Sequence, residues 1–300
     1  MSAAISLHGL SKRYGRIEAL RGASFDVQSG EVFGFLGPNA AGKTTTIRLL
    51  LDLIRPTSGN AQVFGMDTQR RSREVRSRVG YLPGELALYG DMTGRETLDL
   101  LLRLSGGTTD PSLRNTLLER LALPHSDLRR RVREYSTGMR RKLGIVQAMQ
   151  HDPPLLILDE PTEGLDPLMQ EAFYDVLADA RGRGTTVFMS SHILSEVDRT
   201  CDRLALLRGG EVVLVATVDD IRRLAPRLVR ITFDSDTPPP PLLPDAFEIE
   251  EAAPRLWRVR ASGELRELVA AASAHAIRDI EIDTPRLEDV VFRYYGGGGE

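Results

Sequence analysis

The run Gly37-Pro38-Asn39-Ala40-Ala41-Gly42-Lys43-Thr44-Thr45 constrains this chain more than any other stretch. It fits the pattern G-x-x-x-x-G-K-[ST]. The apolar residues Val32-Phe33-Gly34-Phe35-Leu36 before it read as a buried strand, and Thr46-Ile47-Arg48-Leu49-Leu50-Leu51 after it as the start of a helix. Strand, glycine-rich loop and helix, in that order, build an anion cradle. Successive backbone N–H groups of a tight loop face one concavity, and the helix N-terminus adds the positive end of its dipole. Gly37 and Gly42 let the loop curl without Cβ clashes. Lys43 is expected to reach the β- and γ-phosphates of a nucleotide, and Thr44 to offer its hydroxyl to Mg²⁺.

A second stretch carries the complementary chemistry. Leu155-Leu156-Ile157-Leu158 runs straight into Asp159-Glu160. Four apolar residues ending in two carboxylates read as a buried parallel strand with acids at its C-terminal tip, where ligands gather in open α/β sheets. Asp159 is placed to hold Mg²⁺, directly or through water, and Glu160 to polarise an attacking water. A third apolar strand, Thr185-Thr186-Val187-Phe188-Met189, ends in Ser190-Ser191-His192. His192 therefore belongs with the phosphate crevice rather than with the core.

Composition bounds the remainder. Three hundred residues allow one large α/β domain and a small one; 41% are hydrophobic and 27% charged, as in an ordinary globular protein. A net charge of −3 gives no general attraction to nucleic acid or anionic lipid. The single cysteine, Cys201, precludes an internal disulfide and reads as a small buried residue near a helix end. No signal peptide and no apolar run of bilayer-spanning length are visible. The chain is thus expected to be cytosolic, with any membrane crossing left to another polypeptide.

In chain order, Ile5-Ser6-Leu7 and Ala23-Ser24-Phe25-Asp26-Val27 suggest an antiparallel start, with Tyr14 between them either packed in a core or offering its ring to a base. The basic residues 70–78 read as a solvated helix face. Thr93 and Glu96 stand at capping-box spacing ahead of a leucine-rich helix, and residues 111–123 form another. Tyr135-Ser136-Thr137-Gly138-Met139 leads into a helix over 140–150, its Ser and free amides being either an ordinary cap or a second anion site. Residues 203–207 and 211–215 flank Arg208-Gly209-Gly210 as a hairpin. Beyond about residue 220 the composition shifts. Strands at 229–233, 247–251, 256–260 and 280–282, helices at 264–274 and 285–295, and a tetraproline loop form a small α+β appendage whose Trp257 belongs to its core.

Taken together, these pieces resemble the ATP-binding subunit of an ATP-binding cassette transporter over about residues 3–220. Residues 37–45 look like Walker A, 155–160 like Walker B, 135–139 like the family signature, Gly164-Leu165-Asp166 like the D-loop and His192 like the switch histidine. Tyr14 matches the adenine-stacking aromatic. The resemblance implies an α/β P-loop NTPase core over 1–220, an antiparallel β-subdomain, a helical signature subdomain over about 85–150, and an accessory α+β domain over 221–300 similar to that of drug- and antibiotic-export subunits.

The resemblance also implies ATP and Mg²⁺ as cofactors and hydrolysis that powers export of drug, antibiotic or lipid-like cargo. It implies a head-to-tail dimer, homo- or heteromeric, peripheral on the cytoplasmic face of the membrane beneath a separate permease. Ser136, Thr137 and Gly138 would grip the γ-phosphate across the dimer, with Asp166 beside them, while His192 touches it within the chain. A cassette ATPase acting on nucleic acid or ribosomes is disfavoured by the lack of coiled coils or a second cassette, so no nucleic-acid partner is expected. A non-catalytic ATP-binding regulator is disfavoured by intact Asp159, Glu160 and His192. Departures from the family pattern stand at Ala40, Thr137, Met139, Glu163 and Gly84. Ala40 replaces a Gly, acceptable if its φ stays negative; Gly84 replaces the glutamine that contacts Mg²⁺ and senses the membrane partner, leaving Glu85 as a candidate substitute.

Overall fold

The computed structural model describes residues 3–106, 108, 110–224, 227–238, 246–262, 264–283, 287 and 291. Two compact units divide the chain, Met1–Ala216 and Thr217–Glu300.

The first unit opens with β1 (Ala3–Tyr14) and β2 (Ile17–Gln28), an antiparallel pair. β3 (Val32–Leu36) is buried throughout and delivers the chain to α1 (Lys43–Leu50). β4 (Ser58–Val63) and β5 (Met66–Asp67) return to the first pair, completing a sheet ordered β2-β1-β4-β5. After α2 (Ser72–Ser77) comes β6 (Val79–Leu82). α3 (Gly94–Ser105) starts at a true capping box, Thr93 accepting from the Glu96 amide while Glu96 reaches back. α4 (Pro111–Arg120) and α5 (Thr137–Met149) complete the helical insertion. β7 (Leu155–Asp159), α6 (Pro167–Gly182), β8 (Thr186–Ser191), α7 (Leu194–Thr200), β9 (Arg203–Arg208) and β10 (Glu211–Thr217) finish the unit.

The second sheet runs β10-β9-β3-β8-β7-β6, and β6, β7, β8, β3 and β9 are all parallel. Its central strands are buried on both faces, which is why they read as unbroken apolar runs. Phe25 of the antiparallel sheet stacks on Phe33 at 5.3 Å and lies 6.4 Å from Phe188, joining the two sheets through aromatic packing.

The second unit holds α8 (Val218–Leu224), β11 (Arg227–Phe233), β12 (Phe247–Ala253), β13 (Leu256–Ala261), α9 (Arg266–Ala272) and β14 (Ile277–Asp283). Its antiparallel sheet is ordered β12-β13-β11-β14. Trp257 is fully buried, edge-on to Phe233, with its indole N–H donating to the Pro238 carbonyl.

Some boundaries differ from the sequence expectation. α5 begins at Thr137 rather than 140, because the Ser136 hydroxyl accepts from the Met139 amide and caps the helix three residues earlier. α4 stops at Arg120, short of 123, where Ala122 takes a positive φ. α9 is trimmed by two residues at each end relative to 264–274. The closing helix over 285–295, apart from Leu287 and Val291, and three of the four prolines at 238–241 lie outside the described residues.

Gly80 in β6 is squeezed against α5 and the loop that follows it. A Cβ there would stand 2.0 Å from the Ala148 carbonyl oxygen and 2.7 Å from the Pro153 ring. Gly80→Ala is expected to cost about 3 kcal/mol or more, since backbone cannot yield as a flexible side chain would. Urea unfolding of the variant followed by circular dichroism checks this, and an unchanged midpoint refutes it.

Candidate active site

Parallel register brings the tips of three strands together. Leu36 of β3 pairs with Ser191 of β8, and Ser190 of β8 pairs with Asp159 of β7. The residues that follow these positions therefore emerge at one edge of the sheet. Thr44 Oγ1 donates to Asp159 Oδ2 at 2.9 Å, and Ser190 Oγ donates to Asp159 Oδ1 at 2.5 Å. Lys43 Nζ lies 3.1 Å from Glu160 Oε1, and His192 Nδ1 lies 2.8 Å from Glu160 Oε2. Lys43 is only 6% exposed and the Glu160 side chain 16%, so their attraction is weakly screened. The expected residues thus form two adjacent bonded sets, Lys43–Glu160–His192 and Thr44–Asp159.

The loop over 37–45 has the shape an anion cradle needs. Gly37 donates its amide to the Ser191 carbonyl, and Ala41 donates its own to the Pro38 carbonyl. Lys43 Nζ also donates to the Gly37 carbonyl at 2.5 Å and the Pro38 carbonyl at 3.2 Å, folding back along the loop. Gly42 caps α1 at φ +112°, and a Cβ there would meet the Ala19 carbonyl oxygen at 2.3 Å, so only glycine fits. The β9–β10 turn braces the loop from outside, Gly210 donating to the Ala41 carbonyl. The oxygen donors nearby are a hydroxyl and a carboxylate, the hard ligands Mg²⁺ prefers. Among the described residues no cluster of three His, Cys, Asp or Glu side chains could cage a metal alone.

Comparison with known proteins settles the family. The family model described as ABC transporter matches residues 20–163. The bacitracin transport ATP-binding protein of Bacillus licheniformis is 31% identical over 306 residues, covering 99% of each chain. A daunorubicin resistance ATP-binding protein of Streptomyces coeruleorubidus is 40% identical over 221 residues, covering 73% of this chain and 70% of that one. Among solved structures, an ATP-binding subunit of an ABC transporter superposes with a TM-score of 0.68 at 32% identity, over 73% of this chain and 92% of its own.

The chain belongs to the ABC transporter ATP-binding family. It is an ATPase subunit of the type found in drug and antibiotic resistance, built on the P-loop cassette fold.

Other motif residues of the cassette sit apart from the Lys43–Glu160–His192 set. Ser136 caps α5, and Gly138 and Thr137 pack against the Gly164 turn: a Cβ on Gly138 would lie 3.4 Å from the Gly164 carbonyl oxygen. Asp166 caps α6, accepting from the Met169 amide at 3.0 Å. Tyr14 ends β1 with its ring 46% exposed and the Lys12 ammonium 4.9 Å from the ring centre, which rules out a core-packing role. Cys201 is buried at the end of α7, and burial pushes its thiol up to about 12, so it is no nucleophile.

Three residues of this neighbourhood escaped the sequence reading. Ser190 bridges Asp159 and the Glu160 amide, donating to the first and accepting from the second. Buried Glu196 in α7 accepts from Ser191 Oγ at 2.6 Å and from Thr162 Oγ1. Arg141 in α5 is 3% exposed and donates to five backbone carbonyls around Asp159 and Glu160. A lone serine, glutamate or arginine carries no motif; only an arginine on the inward face of the helix was available as a signal.

Ala40 contradicts its expectation, with φ +62° rather than negative. A left-handed backbone costs a non-glycine residue about 1–2 kcal/mol, against about 0.5–1 kcal/mol of chain entropy that glycine would lose on folding. Ala40→Gly is therefore expected to stabilise the cassette by about 0.5–1 kcal/mol. Denaturant unfolding followed by far-UV circular dichroism reads this, because the only tryptophan, Trp257, reports on the other unit. A destabilised variant would contradict the strain argument.

Proposed function

We propose that this chain hydrolyses ATP to power export of antibiotic or drug-like cargo through a separate membrane-spanning permease. The supporting observation is the bonded set Lys43–Glu160–His192 beside Thr44–Asp159 at converging strand tips. Similarity to the bacitracin transport protein along 99% of the chain supports the export assignment, second unit included.

In this reading the first-turn amides of α1, those of Lys43, Thr44 and Thr45, and the Lys43 ammonium neutralise the β- and γ-phosphates, as positioning and electrostatics dominate phosphoryl transfer. Thr44 and Asp159 would hold Mg²⁺, whose charge would offset that of the phosphates. Glu160 Oε accepts the proton of the attacking water. His192 bonds to Glu160 on one side and turns to the γ-phosphate on the other. Tyr14 offers its exposed face to adenine.

The start of α5, with Ser136, Thr137 and Gly138, closes over the nucleotide of a second cassette, identical or related, with Asp166 at the same interface. A bacterial cassette solved as a dimer shares the fold, with a TM-score of 0.65 at 24% identity.

Among the described residues no helix is long and apolar enough to cross a membrane. We place the chain at the cytoplasmic face, with the permease in an apolar groove of about 400 Å³ lined by Glu85, Leu86, Ala87 and Leu88 beside Tyr81 and His151. Gly84 leaves room for the missing glutamine's Cβ, 3.4 Å from Asp159 Oδ2.

Glu160→Gln is expected to keep ATP binding and lower turnover by about 100-fold or more, the usual worth of a positioned base. Phosphate release by the purified chain measures it, and near-normal turnover sinks the assignment. Ser136→Arg is expected to spare nucleotide binding but abolish hydrolysis, by placing bulk and charge in the partner's phosphate site. Mixed with excess Lys43→Ala chains, it should recover at most one working site per dimer. Full recovery of activity would contradict the shared site.

A further inference from the structure

Arg141 presents five N–H donors, and all five find a backbone carbonyl. Nε donates to Pro161 at 2.9 Å, Nη1 to Pro83 at 2.9 Å and Gly84 at 3.0 Å, and Nη2 to Asp159 at 2.8 Å and to Glu160. Among the described residues no acidic side chain hydrogen-bonds to it, although the charges of Glu163, Asp159 and Glu160 act on it from nearby. Three of the acceptors are consecutive, Asp159, Glu160 and Pro161. Consecutive carbonyl dipoles aimed at one point repel one another, so a cation at that point stabilises a turn the chain would otherwise resist.

The turn needs such support. Glu160 sits at φ +48°, a left-handed conformation that a residue with a Cβ adopts only under constraint. Its amide donates to Ser190 Oγ and its carbonyl accepts from Arg141, so both sides of the residue are held. The remaining acceptors, Pro83 and Gly84, follow β6, whose Leu82 pairs with Leu158 of β7. One buried guanidinium therefore clamps the tips of two neighbouring strands from a third element, α5.

We propose that Arg141 is a positioning residue for hydrolysis: it holds the 159–161 turn so that the Glu160 carboxylate faces the phosphate loop, and it couples that turn to α5 and to the Pro83–Gly84 backbone. This rests on Glu160 being the base. Arg141 touches no substrate, so its loss is expected to appear in turnover and not in nucleotide affinity. The geometry also ranks replacements. Lysine keeps the charge and three donors, glutamine two donors and no charge, alanine neither.

The test uses the full chain. Arg141→Lys, Arg141→Gln and Arg141→Ala are purified, and kcat, the dissociation constant of a fluorescent ATP analogue and the melting temperature are measured, with Glu160→Gln alongside. The expected result is a dissociation constant within about threefold of wild type. Turnover should fall by about 10–100-fold, the scale seen when supporting groups behind a reactive one are removed, and least for lysine. Should the alanine variant fail to fold, the lysine and glutamine variants carry the comparison. Wild-type turnover in the glutamine variant overturns the proposal. So does a parallel loss of affinity and turnover with no advantage for lysine, which marks a merely structural arginine. If Glu160→Gln itself hydrolyses ATP normally, the assignment of the base fails instead, and the two failures are distinguishable.

Discussion

Two carboxylates stand side by side at the end of β7, and the rest of the site depends on how they are kept apart. Successive side chains of a strand point to opposite faces. Continuing β7 by one regular residue would send Glu160 away from Asp159 and from the phosphate loop. The switch to φ +48° at Glu160 breaks that alternation. Asp159 then faces Thr44 and Ser190, while Glu160 faces Lys43 and His192. Adjacent residues at the start of α1 thus receive adjacent acids, each with its own partners. The like charges share one crevice without competing for one site.

That arrangement demands a platform that does not shift. β3, β8 and β7 are buried over their whole length, and Phe25, Phe33, Phe35 and Phe188 lock the two sheets of the unit beneath the strand tips. Above the tips the loop is pinned on two sides, by Ser191 through Gly37 and by Gly210 through Ala41. Sites built on such elements hold their geometry better than sites carried on free loops.

The sequence made legible what has period or fixed spacing. Unbroken apolar runs marked β3, β7 and β8, and their polar ends marked Lys43, Asp159, Glu160 and His192. The capping box at Thr93 and the Gly209-Gly210 hairpin were readable for the same reason. What escaped depends on contacts between residues far apart in the chain. Arg141 looks like one more basic residue after the Ser136 cap until 83–84 and 159–161 are brought to it. Ala40 reads as acceptable only if its φ stays negative, and that angle is set by how the loop closes, which no local pattern records. The sequence places the start of α5 late, since Ser136 reads there as either an anion ligand or a cap, and as a cap it pulls Thr137, Gly138 and Met139 into the helix.

That last shift changes what α5 is. The helix begins at the residues proposed to close on a second cassette's nucleotide, and one turn later it carries Arg141. A rigid helix moves as a body, so a displacement of its first turn displaces the guanidinium too. The guanidinium holds the carbonyls of Asp159 and Glu160 at this chain's own site, and those of Pro83 and Gly84 at the edge of the groove assigned to the permease. Gly84 has no side chain with which to report across that gap, but its carbonyl is already bonded to the element that would. On this reading, the state of one nucleotide site, the aim of the base at the other and the seating of the permease bear on a single buried cation. The connection runs through backbone carbonyls, which every residue type possesses, so it leaves no signature in the identities of the residues it joins.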